Sequence, residues 1–361
     1  GLVFFTYGLC TRKSPKSSMT DINVEALTVK NERKTIKYDV KSSLTDENNV
    51  VVLKPQWGLG NRLRTIRKAY IISKILNRRL VIVEHQDHGF DHHSIRELLE
   101  LSDIESIYES AFKIIRKNKL KQGLLKYIKR DIHIGKCETI VNESRIQELK
   151  NTKSNVLIYF KTCDFLFEGS FQHLEYDRSF YTEAPSIFTK NKETLRSMFS
   201  QNKNIHRASR IVGIHIRQGN VNDYKKGNFF GSWDNSDTTM APYFPQFLDQ
   251  SKNLSAYHPS APPMEYFMRL IDSYHESVIF FVCSDRIGTL IYLHQKYPNR
   301  ILMNPIVLQN ELPNTAYGLK DLIALSKCDE IIATGIGSFS RECAVINNRP
   351  FKKVWNENIV T

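Results

Sequence analysis

No apolar run in this 361-residue chain approaches the roughly 18 to 20 residues that a helix needs to cross a bilayer, so no membrane-spanning helix is expected within it. Cysteine is scarce and dispersed. Cys10, Cys137, Cys163, Cys283, Cys328 and Cys343 form no Cys-x-x-Cys pair, which removes the usual zinc and redox motifs. His85, His88, His92 and His93 lack the spacing of ligands carried on one helix, and no metal is expected. Glycine and proline, at 16 and 12 residues, are too few for a fibrous or low-complexity chain, and no repeat of solenoid period is present. Zinc-finger, KH and RRM signatures are missing too, so nucleic acid is not the expected partner.

What is present is a basic, globular sequence. Lys and Arg number 51 against 38 acids, a formal charge of +13 that predicts anionic company. The excess is uneven: residues 1 to 205 carry 35 bases and 24 acids, a net of +11, whereas residues 206 to 361 carry 16 and 14, a net of +2. It concentrates between Lys54 and Arg79 and between Lys113 and Lys136, where nine bases face one acid. These runs read either as solvated faces or as a surface for an acidic glycan or an anionic membrane. The apolar Gly1 to Cys10, followed by the basic Thr11 to Ser18, reads either as the tail of a trimmed signal anchor with a stem to about residue 49, or as a frayed end. The first reading implies a Golgi-type secretory lumen and proximity to a membrane, the second the cytoplasm. Two sequons, at Asn142 and Asn253, do not decide between them.

Strand and helix patterns alternate, which means an α/β fold. Val50 to Leu53 is a short β-branched run, followed by a glycine loop and a helical face through Leu63, Ile66, Ala69 and Leu76; Leu80 to Val83 then completes a βαβ unit. Residues Ser94 to Gly135 read as helical and basic, and Val156 to Phe160 as a strand. A second series begins near residue 206, with strands at Arg210 to Ile216, Ser277 to Cys283 and Glu330 to Ala333 and helices at Ile287 to Tyr297, Leu319 to Ser326 and Ser340 to Ile346. The expected organisation is an extension or stem over 1–49, an acceptor-side Rossmann-like domain over 50–205, and a second Rossmann-like domain that binds the nucleotide sugar over 206–361. Asn220 to Pro263, rich in Gly, Asn, Asp and aromatics, has the length of a functional loop.

Ligands of open α/β sheets sit at the carboxyl ends of the strands. Three motifs fall there. Gly58-Leu59-Gly60-Asn61-Arg62 lets backbone approach a ligand, with Asn61 and Arg62 as donors at a helix start. It is neither a dinucleotide fingerprint, since Leu63 replaces the third glycine, nor a P-loop. In His215-Ile216-Arg217-Gln218-Gly219-Asn220 the guanidinium suits a diphosphate and the imidazole a ribose or base edge; an internal salt bridge is the alternative for Arg217. The turn from Gly335 to Arg341 offers amides, hydroxyls and a helix dipole to phosphate oxygens, or is an ordinary serine cap.

In this order, Gly-x-Gly-Asn-Arg, His-x-Arg-x-Gly-Asn, an apolar strand ending at Ser284-Asp285, and Ser338-Phe339-Ser340, the sequence resembles the GDP-fucose-dependent fucosyltransferases, in particular the bacterial nodulation-factor α1,6-fucosyltransferases and their core-fucosylating eukaryotic relatives. The similarity is best over about 206 to 350; before that only the glycine loop and its βαβ context match, as they also do in the plant and protein O-fucosyltransferases. The resemblance implies a GT-B fold, two Rossmann-like domains facing a cleft, and inverting transfer of fucose from GDP-fucose to a glycan or glycoconjugate hydroxyl without metal or other cofactor. It further implies that His215 contacts guanosine, Arg217 the diphosphate and Asp285 the guanine, while Ser338, Phe339 and Ser340 line the β-phosphate pocket. Gln218 departs from the second basic residue of the core enzymes, which puts more of the phosphate charge on Arg217, and the loop from Asn220 to Pro263 leaves the acceptor undefined. Attack by an acceptor hydroxyl is helped by a carboxylate base, for which Asp223 is the candidate and Asp234 and Asp237 are rivals. Transfer from another nucleotide sugar, or an idle glycan-binding domain using Phe229, Phe230 and Trp233, are the alternative functions.

Overall fold

The computed structural model describes residues 49–56, 58–84, 104–108, 112–113, 138–153, 157–183, 196, 198–200, 205–217, 264–284, 287–305, 315–334, 338–355 and 358–360. The described residues belong to one compact unit. It is α/β, built on two main sheets that are parallel except for one edge strand.

The first sheet grows from β1 (Val50–Pro55), whose side chains are buried along its length. Residues apolar toward both faces suit a central parallel strand covered on both sides. Helix α1 (Leu59–Ile75) carries the chain to β2 (Arg79–Glu84), and β3 (Glu105–Tyr108) adds beyond β2. That strand corrects part of the helical reading of Ser94 to Gly135: four residues pair with β2 instead, so tertiary pairing overrides local propensity there. After β4 (Glu138–Val141) and α2 (Glu143–Lys150), β5 (Ile158–Thr162) returns to the other side of β1, giving the order β3-β2-β1-β5. Strand β6 (Asp164–Phe167) pairs with β4 in a separate two-stranded sheet, and a 3₁₀ segment, Gly169–Tyr176, leads to the short α3 (Ser179–Glu183).

The second sheet starts at β7 (Arg210–Ile216). Helix α4 (Met264–Ser273) precedes β8 (Val278–Ser284), α5 (Ile287–Lys296) leads to the two-residue β9 (Ile301–Leu302), and α6 (Thr315–Lys327) leads to β10 (Glu330–Thr334). Helix α7 (Ser338–Asn347) then connects to β11 (Phe351–Trp355) and the antiparallel β12 (Asn358–Val360), in the order β12-β11-β10-β7-β8-β9.

Both sheets reverse direction beside their first strand. The chain builds outward from β1 through β2 and β3 and comes back with β5; it builds outward from β7 through β8 and β9 and comes back with β10. Each reversal is a topological switch point, where the crossover helices diverge and a crevice opens at the carboxyl ends. One apolar cluster is shared by both sheets, running from Leu53 through Leu63 and Ile66 of α1 and Leu322 of α6 to Cys343 of α7 and Phe281 of β8. Each such side chain contributes about 1.5–3 kcal/mol when fully buried, so this cluster is the main tie between the two sheets.

Candidate functional site

Helix α1 begins directly after β1, and α7 after β10, so both start at a switch point. The two starts meet. A Cβ placed on Gly60 would lie 2.5 Å from both the amide nitrogen and the Cα of Phe339, and 2.9 Å from Ser338 Oγ. Only glycine permits two backbones to come this close. Gly58, two residues earlier, is the N-cap of α1 in extended conformation, and a Cβ there would touch nothing within 4 Å.

The meeting is electrostatically one-sided. Neither helix has an acidic residue in its first turn, and Gly58 offers no side-chain cap. Two partial positive helix ends are therefore juxtaposed, an arrangement that favours an anion. Helix α7 begins at Ser338 rather than at Ser340 as the pattern suggested, so Ser338, Phe339 and Ser340 all lie in its first turn. Ser340 is fully buried, and its hydroxyl has no hydrogen-bond partner among the described residues.

His215 lies near the end of β7, opposite Ala333 of β10 and Cys283 of β8, and is buried. Its imidazole packs on the Phe339 ring, with centroids 4.9 Å apart and planes inclined by 37°. Arg217 follows β7 and is partly exposed. Its amide donates to Thr334 Oγ1 at 2.7 Å, which ties the ends of β7 and β10 together at the switch point. The structure thus gathers Gly60, His215, Arg217, Ser338, Phe339 and Ser340 around the carboxyl ends of two sheets. Asp223, Asp285, Gln218 and the rival Asp234 and Asp237 lie outside the described residues, as do Phe229, Phe230 and Trp233.

Asn61 is also bonded within its own helix. Its Oδ1 accepts a hydrogen bond from Arg64 Nη2 at 3.0 Å, and the same nitrogen lies 3.2 Å from Asp164 Oδ2. Arg62 is partly buried in the first turn, its amide bonded to the Gly58 carbonyl at 3.0 Å.

Beneath the helix starts lies a polar network that sequence reasoning did not anticipate. Arg67 donates through Nε to Glu342 Oε1 at 2.6 Å and through Nη1 to the Asp177 carbonyl at 2.7 Å. Tyr181 Oη donates to the same Glu342 oxygen at 2.6 Å. Burial alone would lower the pKa of Arg67, but the Glu342 carboxylate more than offsets this and holds it above its ordinary range. Burial, with Glu342 beside it, pushes the Tyr181 phenol well above its own. Lys68, fully buried, donates to Asp164 Oδ1 at 3.0 Å and to the Phe165 carbonyl at 2.6 Å, and pairs with Glu175. Part of the basic excess between Lys54 and Arg79 is therefore internal rather than a solvated face. The available signal was the adjacency of Arg67 and Lys68 within an otherwise apolar helical stripe.

Asp321 of α6 is a second unanticipated group. Desolvation by its packed surroundings pushes its carboxyl up to about 7, against the opposing effect of Asn304, which donates to its Oδ1 at 3.0 Å, and of the charge on Lys320. Asn304 follows β9 at the carboxyl edge of the second sheet, and Gly318, one turn before Asp321, packs beside Leu59 of α1. A strongly shifted carboxyl at that edge is a candidate functional group. Among the described residues no group of three or more His, Cys, Asp or Glu side chains is placed to hold a metal ion, and no helix is long and apolar enough to cross a membrane.

No family model and no curated protein matches the sequence. Solved structures do. Fucosyltransferase NodZ from Bradyrhizobium is 12% identical with a TM-score of 0.44, the alignment covering 87% of this chain and 98% of that one. NodZ α-1,6-fucosyltransferase soaked with GDP-fucose gives 12% and 0.42, over 85% and 94% of the two chains. POFUT1 in complex with GDP-fucose gives 13% and 0.43, over 86% and 98%.

Proposed function

We propose that the chain transfers fucose from GDP-fucose to a hydroxyl of a glycan acceptor, with inversion and without a divalent metal. The observation that carries this reading is the meeting at Gly60 and Phe339 of two helix starts with no acidic residue in their first turns, beside Arg217 and the His215–Phe339 ring pair. A nucleoside diphosphate matches that set. Its phosphates find amides, hydroxyls and a guanidinium, and its base finds aromatic surface and an imidazole edge. The order of the sequence motifs supports fucose as the sugar.

In the reaction the acceptor oxygen forms a bond to the anomeric carbon as the bond from that carbon to the β-phosphate oxygen breaks. The electron pair leaves with GDP, and the acceptor proton passes to a base, for which Asp223 remains the candidate. Arg217 and the first-turn amides of α7 stabilise the charge that develops on the leaving group. Asp285 is the candidate for guanine recognition.

The reading also takes 50–205 and 206–361 as the two Rossmann-like domains of a GT-B enzyme with a cleft between them, preceded by a stem over 1–49. A secretory lumen is the proposed compartment. Cys163 is disulfide-bonded, and structural disulfides persist in oxidising compartments.

The deciding experiment measures GDP release from a panel of GDP- and UDP-sugars, with and without EDTA, in the native chain and in Arg217→Ala. The expected result is turnover of GDP-fucose that survives EDTA and collapses in the variant. Absence of GDP-fucose binding by calorimetry, or undiminished turnover in the variant, defeats the reading.

A further inference from the structure

Arg67 and Glu342 stand 275 residues apart in the chain and form an ion pair whose side chains are 1% and 0% exposed. Burying two charges costs several kcal/mol per ion, and an apolar pair of similar volume is often as stable or more so. Stability alone does not account for the pair.

Geometry does. The apolar cluster holds α1 and α7 together, but apolar burial is non-directional, so it fixes their approach better than their slide or rotation. The Arg67 fork is directional. Nε and Nη2 reach the two Glu342 oxygens at 2.6 and 3.3 Å, while Nη1 and Nη2 reach the Asp177 and Glu175 carbonyls at 2.7 and 3.1 Å. Tyr181 satisfies the carboxylate further. Along the helices, Glu342 stands about 5 Å beyond Phe339 and Arg67 about 10 Å beyond Gly60, so a slip at the pair is carried directly to the place where the helix starts meet. There the clearance is already exhausted: even a Cβ added to Gly60 would come within 2.5 Å of the Phe339 backbone.

We propose that Arg67 and Glu342 are positioning residues: they fix the register of α1 against α7 and so hold two helix starts, drawn from different sheets, as one cradle for the diphosphate. The identity of the anion rests on the functional reading above; the register itself does not.

The test compares the native chain with Arg67→Met/Glu342→Leu, which makes the contact apolar, and with Arg67→Gln/Glu342→Gln, which restores a directional amide pair. Three quantities are read: Tm, GDP affinity by calorimetry, and amide hydrogen exchange over residues 58–62 and 338–341. The apolar variant is expected to lose only a few degrees of Tm, since Tyr181 Oη and the Asp177 and Glu175 carbonyls each lose a partner, to lose about tenfold or more in GDP affinity, and to exchange faster at both helix starts; the amide variant recovers part of each. Native affinity together with native exchange in the apolar variant overturns the proposal. Should that variant fail to fold, Tyr181→Phe, which removes one hydrogen bond from Glu342 and leaves the ion pair, is expected to weaken GDP binding about threefold and to speed exchange at the helix starts, and no change in either overturns the proposal. If the native chain binds no GDP, the functional reading fails while the exchange data still decide the register.

Discussion

The Phe339 ring lies against the His215 imidazole at 4.9 Å, joining the first turn of α7 to the end of β7. A planar base can extend such a pair, and aromatic pairing contributes about 0.5–1.5 kcal/mol beyond burial. Phe339→Ala should therefore weaken GDP binding about five- to tenfold, whereas Phe339→Tyr retains most of it. Calorimetric titration of the two variants checks this.

The two glycines of the first motif should respond oppositely to a methyl group. Gly60→Ala drives a Cβ into the backbone of Phe339 and should cost about 1–3 kcal/mol of stability, with loss of donor binding. Gly58→Ala meets open space at an ordinary negative φ of −67° and should change stability by less than about 0.5 kcal/mol. Urea denaturation of both variants reads the difference.

Asp321 predicts a pH dependence. Its carboxyl titrates near 7 in the folded chain, against an ordinary value of 3.8. Between those values the folded state holds a proton that the unfolded state has lost, so stability falls as pH rises through that window and levels off above it. Asp321→Asn should remove this part of the slope. Chemical denaturation of both proteins from pH 4.5 to 8 tests it, and parallel curves would refute the assignment.

Two lysines of α1 separate buried from exposed pairing. Lys68 is fully buried between Asp164 and Glu175; because Asp164 keeps Arg64 at 3.2 Å, Lys68→Met should cost about 1–3 kcal/mol through the lost hydrogen bonds to Asp164 and the Phe165 carbonyl. Lys74 pairs with Glu183 at the surface, with the two side chains 51% and 45% exposed, and Lys74→Met should cost less than about 1 kcal/mol. Thermal unfolding of the two variants reads the contrast.

The strands best legible in the sequence were those buried on both faces: the runs at Val50, Arg210, Ser277 and Glu330 all became central strands. Strand β11 was missed because Lys352 and Lys353 interrupt its apolar run; the structure shows Lys352 paired with the buried Glu330 on the neighbouring strand. Strand β9, only two residues long, has no pattern to detect. At the site, motif position marked the helix starts, since glycine and serine at strand ends have local causes. The contact of Gly60 with Phe339 and the pairing of Arg67 with Glu342 arise only when distant segments fold together, and a long-range pair leaves no periodicity in either segment.

A ribosome completes α1 long before α7 exists. Until Glu342 emerges, the nascent chain has Arg67 without its carboxylate and Leu63 and Ile66 without the α6 and α7 side chains that share their cluster. Part of the apolar surface of α1 therefore stays uncovered during synthesis, and the joint closes only when nearly the whole chain is present. Contacts of such long sequence separation also slow folding. The same joint makes assembly of the site a check on completeness, because a chain cut short before residue 338 lacks one side of the cradle and leaves Arg67 without its counter-charge.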